Sequence, residues 1–184
     1  MPDFILLNGP PGIGKSTLAR LFADRHPGTL NLDVDQVRCL IGGWQQDFQT
    51  AGELVRPLVR SMAAAHLSAG HCVIMPQFLD AAGEVADLQA VAEASGSTFR
   101  EVVLLDSKER SLGRFAGRGT GNDDPWHDTV RNIVDQGGGT LLLEFLYDNL
   151  VDGLAERPEA TVIRSTGGAV EATYSALLDA LSPE

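Results

Sequence analysis

Residues 9–17 read Gly9-Pro10-Pro11-Gly12-Ile13-Gly14-Lys15-Ser16-Thr17, a full match to G-x-x-x-x-G-K-[ST]. An apolar run, Phe4-Ile5-Leu6-Leu7, precedes it, and Leu18-Ala19-Arg20-Leu21-Phe22-Ala23 follows with helical spacing. Strand, glycine turn and helix is the context in which this pattern binds the polyphosphate of a nucleotide. Glycines let backbone N–H groups turn inward and approach phosphate oxygens without Cβ clashes. The helix opening near Lys15 aims its positive end at the same oxygens. All nine residues, Gly9, Pro10, Pro11, Gly12, Ile13, Gly14, Lys15, Ser16 and Thr17, are therefore nucleotide-binding candidates. Lys15 is expected to reach the β and γ phosphates, Ser16 to ligate Mg²⁺, and Thr17 to lie near the α phosphate. The chain has two lysines, Lys15 and Lys108, among its fourteen basic residues. One of the two stands where a compact ammonium is wanted on phosphate.

The rest of the chain sets bounds on what the loop serves. A length of 184 residues suits one domain with a sizeable core, 1–184, and 43% apolar content suits a globular one. No run approaches a membrane span, and Phe4–Leu7 directly after the N-terminus argues against a signal peptide, so a cytoplasmic location is expected. Cys39 and Cys72 form neither a disulfide framework nor a metal site. A formal net charge of −11 makes a nucleic-acid acceptor unfavourable and a small neutral or anionic one more suitable. Nothing in the sequence reads out an oligomeric state.

Short apolar runs recur at Phe4–Leu7, Thr29–Leu32, Cys72–Met75, Val102–Leu105 and Thr161–Ile163, with helical patterns between them. Continuous apolar character suits strands buried on both faces of a parallel sheet, and the alternation indicates an α/β fold. Helices are expected over Lys15–Asp24, Val34–Ile41, Glu53–Ser68 with Thr50-Ala51-Gly52-Glu53 resembling its capping box and Pro57 inside or at a kink, Ala81–Ala94, and after Asp106. A helical stretch over 126–154 should break at Gly137-Gly138-Gly139. The last helix should bury Val170, Tyr174, Leu177, Leu178 and Leu181.

Leu32-Asp33-Val34-Asp35-Gln36-Val37-Arg38 lies at the carboxyl end of the second run, where open parallel sheets bind ligands. Phosphoryl transfer to an alcohol needs a carboxylate on the hydroxyl proton and oxygen ligands around Mg²⁺. Asp33 and Asp35 can supply both; either can instead cap a helix. Arg38, one turn on, can grip an anionic group of the acceptor. Gln77, just beyond the third run, is a further acceptor-side candidate, and the aromatics Trp44, Phe48 and Phe78 lie in similar places.

A phosphate loop followed by a strand and Asp-x-Asp-x-x-Arg resembles the P-loop small-molecule kinases. Adenylylsulfate kinase, gluconate kinase, chloramphenicol phosphotransferase and the kinase domain of polynucleotide kinases share the layout. The resemblance implies a three-layer P-loop NTPase fold, with a five-stranded parallel sheet of order 2-3-1-4-5 and an arginine-bearing helical lid over about 107–127. It implies ATP and Mg²⁺ as cofactors, Asp35 as the acceptor-side base and Asp33 as the partner of Mg²⁺. Arg114 and Arg118 occupy the lid region on one helical face with Arg110, before Gly119 and Gly121, and are expected to act on the transferred phosphoryl group. The loop holding Thr166-Gly167-Gly168 is expected beside the adenine. Asp106, at the end of the fourth run, resembles a Walker B aspartate but stands where a lid helix would be capped.

The function these residues imply is an ATP-dependent kinase of a small hydroxyl compound such as a nucleoside, sugar or antibiotic. A polynucleotide 5′-hydroxyl kinase and a regulatory ATPase are the alternatives. A GTPase switch is disfavoured, because no Asn/Thr-Lys-x-Asp motif occurs at either lysine.

Overall fold

The computed structural model describes residues 1–117 and 125–182. In chain order its elements are β1 (Asp3–Asn8), α1 (Lys15–Arg25), β2 (Leu30–Asn31), α2 (Val34–Arg38), α3 (Phe48–Ser68), β3 (Val73–Pro76), α4 (Ala82–Ala94), β4 (Thr98–Leu105), α5 (Lys108–Ala116), α6 (Pro125–Gln136), α7 (Thr140–Gly153), β5 (Thr161–Arg164) and α8 (Val170–Leu181). The five strands form one sheet in the order β2-β3-β1-β4-β5. Every pairing is parallel. The sheet order matches the expectation.

Side-chain alternation along β1 explains why this run is apolar at every position. Phe4 and Leu6 face a core built with Val73, Met75, α3 and α4. Ile5 and Leu7 face a second core built with Ile74, Val102, Leu104, α1 and α8. A strand flanked by β3 and β4 and covered on both faces has no solvent side on which to place a polar residue. β5 departs from that rule. It is an edge strand, and of its four residues only Ile163 is buried.

The helices shift in three places. α3 starts at Phe48, five residues before the expected Glu53, because Asp47 rather than Thr50 caps it: Asp47 Oδ1 accepts the Thr50 N–H at 3.0 Å. Pro57 then sits inside the helix on its exposed side, where water can reach the Glu53 carbonyl that it leaves without a donor. α2 ends at Arg38 instead of Ile41, and the chain continues in tighter i→i−3 turns, Leu40 N–H to Val37 and Ile41 N–H to Arg38. In α8 the buried stripe is Thr173, Tyr174 and Leu177, while Val170 and Leu178 are 40% and 36% exposed. The break at the glycine triplet is as expected, with Gly138 and Gly139 at φ 117° and 62°. Among the described residues, no helix is long and apolar enough to cross a membrane.

A polar network lies between the sheet and the chain that follows α7. Glu101 on β4 accepts from Asn8 Nδ2 at 2.8 Å and pairs with Arg157 at 2.5 Å, and both charged side chains are almost wholly buried. Arg157 Nε also donates to the Gly153 carbonyl at 3.2 Å. Removing one partner of such a pair leaves an uncompensated buried charge, which costs about 3–5 kcal/mol. Arg157→Met is therefore expected to lower unfolding stability by about 3 kcal/mol in urea titrations; a loss below about 1 kcal/mol would show that the pair is dispensable.

Candidate active site

The phosphate loop leaves β1 and enters α1 through three glycines in the left-handed region, Gly9 at φ 144°, Gly12 at 85° and Gly14 at 107°. At Gly9 a Cβ would stand 2.5 Å from the Leu104 carbonyl oxygen, and at Gly12 it would stand 3.1 Å from the Phe115 backbone. Both the turn and the close approach of β4 and α5 therefore require glycine here. Ile13 points into the core, and its carbonyl accepts from Ser165 Oγ at 3.1 Å and from Arg114 Nη1 at 3.0 Å. Lys15 Nζ donates to the Gly9 and Pro10 carbonyls at 2.7 and 3.0 Å, which holds the ammonium across the mouth of the loop.

The acidic pair divides into two environments. Asp33 is buried and caps α2, its Oδ1 accepting the Asp35 N–H at 3.1 Å. Asp35, two residues on, is half-buried and lines a cavity of about 290 Å³ together with Lys15, Ser16, Arg38 and Gln77. That cavity lies past the carboxyl ends of β1 and β3, and it gathers residues from the phosphate loop, α2 and the segment after β3. Arg38 lies with its guanidinium carbon 4.2 Å from the Phe48 ring centroid and 5.5 Å from that of Trp126. Burial lowers its pKa from the ordinary guanidinium value, Asp35 opposing and Arg56 assisting the shift. Phe48 and Phe78 line the cavity, whereas Trp44 packs on Trp126 with ring centroids 5.6 Å apart.

A second cavity of about 430 Å³ opens on the other side of the loop, between Thr17, Arg114, Thr166, Gly167 and Gly168. The two cavities share Gly12 and Gly14 and so flank the phosphate loop. Arg114 is fixed here by bonds that the sequence did not indicate. Besides Ile13 it reaches the Ser165 carbonyl at 2.5 Å and Asp106 Oδ2 at 2.8 Å, and a Cβ on Gly167 would stand 3.2 Å from its Nε. Asp106 is neither the cap of α5, a place taken by Ser107, nor exposed to the phosphate side: its side chain is fully buried against Arg114 and reached by Arg110 at 3.4 Å. α5 thus packs directly on the loop. Arg118 and the glycine-rich stretch after it lie outside the described residues.

Sequence reasoning missed one wall of the cavity that Asp35 lines. Phe115 from α5, Trp126, Val130 and Ile133 from α6, and Leu142 and Leu146 from α7 close it. The i, i+4, i+7 spacing of Trp126, Val130 and Ile133 was a visible signal, but an apolar helical stripe is ordinarily core. Arg131 and His127 also line this cavity.

The hard oxygen donors that line the cavity beside the loop are the Ser16 hydroxyl and the Asp35 carboxylate, while Asp33 is buried behind them as the cap of α2. Among the described residues no group of three or more His, Cys, Asp or Glu could hold a metal by itself. This donor set fits Mg²⁺, which takes one or two protein oxygens and completes its shell with phosphates and water, and does not fit a protein-caged ion.

The sheet order, the glycine turn and the lysine across its mouth define a P-loop nucleotide-binding α/β protein. Residues 4–136 match the AAA_33 family, described as an AAA domain, and the chain belongs to that family. No curated protein matches it. Solved structures with the same fold include a tunicamycin resistance protein from Deinococcus radiodurans, at TM-score 0.63 and 17% identity over 100% of this chain and 96% of that one. A gluconokinase from Sinorhizobium meliloti is similar at TM-score 0.61 and 17% identity, over 98% and 95% of the two chains. A chain of the Pnkp1/Rnl/Hen1 RNA repair complex aligns at TM-score 0.66 and 19% identity, over 84% of this chain and 46% of its own length. The fold is thus one that kinases use, as the resemblance in the sequence implied.

The Asp106–Arg114 pair has a pH signature. Burial alone would raise the Asp106 pKa, but the Ser107 N–H and the charges of Arg114 and Arg110 outweigh it and hold the group below its ordinary value. A carboxylate more acidic folded than unfolded stabilises the fold above about pH 4, and that contribution is lost as pH falls through the folded value. Asp106→Asn is expected to lower the urea midpoint at neutral pH and to make the decline below about pH 4 shallower than in the parent. An unchanged acid limb would contradict the role given to this pair.

Proposed function

We propose that the protein is an ATP-dependent phosphotransferase that moves the γ-phosphoryl group of Mg-ATP to a hydroxyl of a small molecule. The carrying observation is that Lys15, Ser16 and Asp35 line one cavity beside the phosphate loop, while a second cavity lies on the loop's other side. In this reading the adenine side of ATP occupies the space at Gly167 and Arg114, the phosphates run along Gly9–Thr17, and the acceptor enters beside Asp35, Arg38 and Gln77. P-loop kinases offer this in-line arrangement of donor, loop and acceptor.

Each residue then has a physical role. Lys15 and the inward N–H groups of the loop offset charge on the β and γ phosphates. Asp35 orients the acceptor hydroxyl and receives its proton. The hydroxyl oxygen bonds to the γ-phosphorus as the bond from phosphorus to the β,γ-bridging oxygen breaks, and ADP leaves with that electron pair. Ser16 and Asp33 are the groups that would hold Mg²⁺, Asp33 through its oxygen not engaged by the Asp35 N–H. The ion supplies charge neutralisation on the phosphates. Arg114, tied to Ile13 and Ser165, keeps the loop and the Gly167 turn in register. A contribution of Arg114 and Arg118 to charge on the transferred group belongs to the same proposal. A net charge of −11 supports a small acceptor over a polynucleotide, and the apolar wall of the acceptor cavity supports it further.

Two substitutions test the assignment. Lys15→Ala is expected to lower Mg-ATP binding or turnover at least a hundredfold, as measured by nucleotide titration and ADP release, because an aimed charge is lost from the phosphates. Undiminished turnover would contradict the loop's role. Asp35→Asn is expected to retain nucleotide binding while transfer falls by about 10²–10⁴, the range for loss of a general base; full transfer would remove Asp35 from that position.

A further inference from the structure

The acceptor cavity has two chemically different linings. The phosphate loop, α2 and the segment after β3 contribute Lys15, Ser16, Asp35 and Gln77; α6 and α7 contribute Trp126, Val130, Ile133, Leu142 and Leu146, together with His127 and Arg131. On α6 the apolar residues recur at i, i+4 and i+7, and on α7 at i and i+4, so each helix brings an apolar stripe to the space, beside His127 and Arg131 of α6. Leu142 and Leu146 stay half-buried there, while Leu143 between them goes into the packed interior. A sugar or polyol seated against Val130, Ile133, Leu142 and Leu146 would give up water around its hydroxyls without receiving donors or acceptors from those side chains. A ring or branched alkyl group would instead be taken out of water against matching surface.

Arg38 lines the same cavity. Its guanidinium lies over Phe48, and its buried Nε finds no hydrogen-bond partner among the described residues. A guanidinium packed on aromatic rings with a buried unmatched donor is complemented by an oxygen acceptor. The cavity, at about 290 Å³, also has to admit the transferred phosphoryl group, which suits a compact acceptor.

We infer that the acceptor is an amphipathic alcohol: its hydroxyl meets Asp35, a neighbouring carbonyl or carboxylate oxygen meets Arg38, and an apolar, ring-sized body rests on the α6–α7 wall. This rests on the kinase reading above and specifies the substrate class of the same site. Trp126, Val130, Leu142 and Leu146 become specificity-determining positions, and Arg38 selects for the oxygen beside the hydroxyl.

A graded series tests it. N-acetyl-alaninol, N-acetyl-leucinol and N-acetyl-phenylalaninol carry the same hydroxyl and the same amide oxygen and differ only in the apolar body. Titrated calorimetrically into the protein with Mg²⁺ and a non-hydrolysable ATP analogue, affinity should rise about tenfold or more from the first to the last. Val130→Thr, which keeps the side-chain shape and adds a hydroxyl, and Leu146→Gln should each flatten that rise, and Arg38→Met should weaken all three compounds alike. A flat series in the parent protein, or gluconate, ribose or a 5′-hydroxyl oligonucleotide binding more tightly than N-acetyl-phenylalaninol, would overturn the inference. ADP release separates the two claims. If the polar compounds stimulate it in a Lys15-dependent way and the series does not, the acceptor class is wrong and the kinase reading stands. If the graded binding holds but no hydroxyl compound ever stimulates release, the kinase reading fails while the chemistry of the pocket remains.

Discussion

One side-chain amide, that of Asn8, fixes where the phosphate loop begins. Asn8 is wholly buried at the end of the central strand. Its Oδ1 accepts the N–H groups of Gly9 and Leu79 at 2.8 and 3.0 Å, and its Nδ2 donates to the Leu79 carbonyl and to Glu101 at 2.7 and 2.8 Å. Both polar atoms are therefore satisfied, as burial demands. The same four bonds tie the start of the loop to the segment after β3 and, through Glu101, to Arg157. The loop and the segment after β3, which both line the cavity at Asp35, are thus registered against one another by a residue that does not itself line it.

A second anchor does the same for the nucleotide side. Arg114 joins Asp106 at the end of β4 to Ile13 within the loop and to Ser165 at the end of β5. A planar guanidinium with five donors in a fixed fork suits this three-way junction in a way that an ammonium would not. The loop is consequently braced from β1, from β4 and from β5. Such bracing matters for phosphoryl transfer, where catalysis comes mainly from positioning and from charge already aimed at the transferred group.

The sequence made some of this legible and concealed the rest for physical reasons. Strand positions were readable because the central runs Phe4–Leu7, Val73–Met75 and Val102–Leu104 are covered on both faces and are apolar, and the loop was readable because its glycines are forced by φ and by close approach. The length of α3 was not, since a cap works through one side-chain oxygen, and Asp47 and Thr50 offer that oxygen equally well in a linear reading. The Asp106–Arg114 pair was hidden because Asp106 stands before α5 and Arg114 two turns into it, a separation that nothing in a linear reading joins until burial is known. Asp33 and Asp35 read as one pair; only the structure separates a capping carboxylate from one that lines the cavity. The α6–α7 wall was hidden by its own regularity, because an apolar stripe that lines a cavity and one that packs into a core have the same period.

The most direct measurement of the central claim is a ³¹P NMR spectrum of the reaction mixture of the protein, Mg-ATP and amphipathic alcohols. The account predicts that the γ resonance of ATP is replaced by a phosphomonoester resonance coupled to the carbinol protons of the acceptor, with ADP formed in equal amount. Inorganic phosphate as the sole product, with every hydroxyl compound supplied, would contradict transfer and reduce the protein to a nucleotide hydrolase.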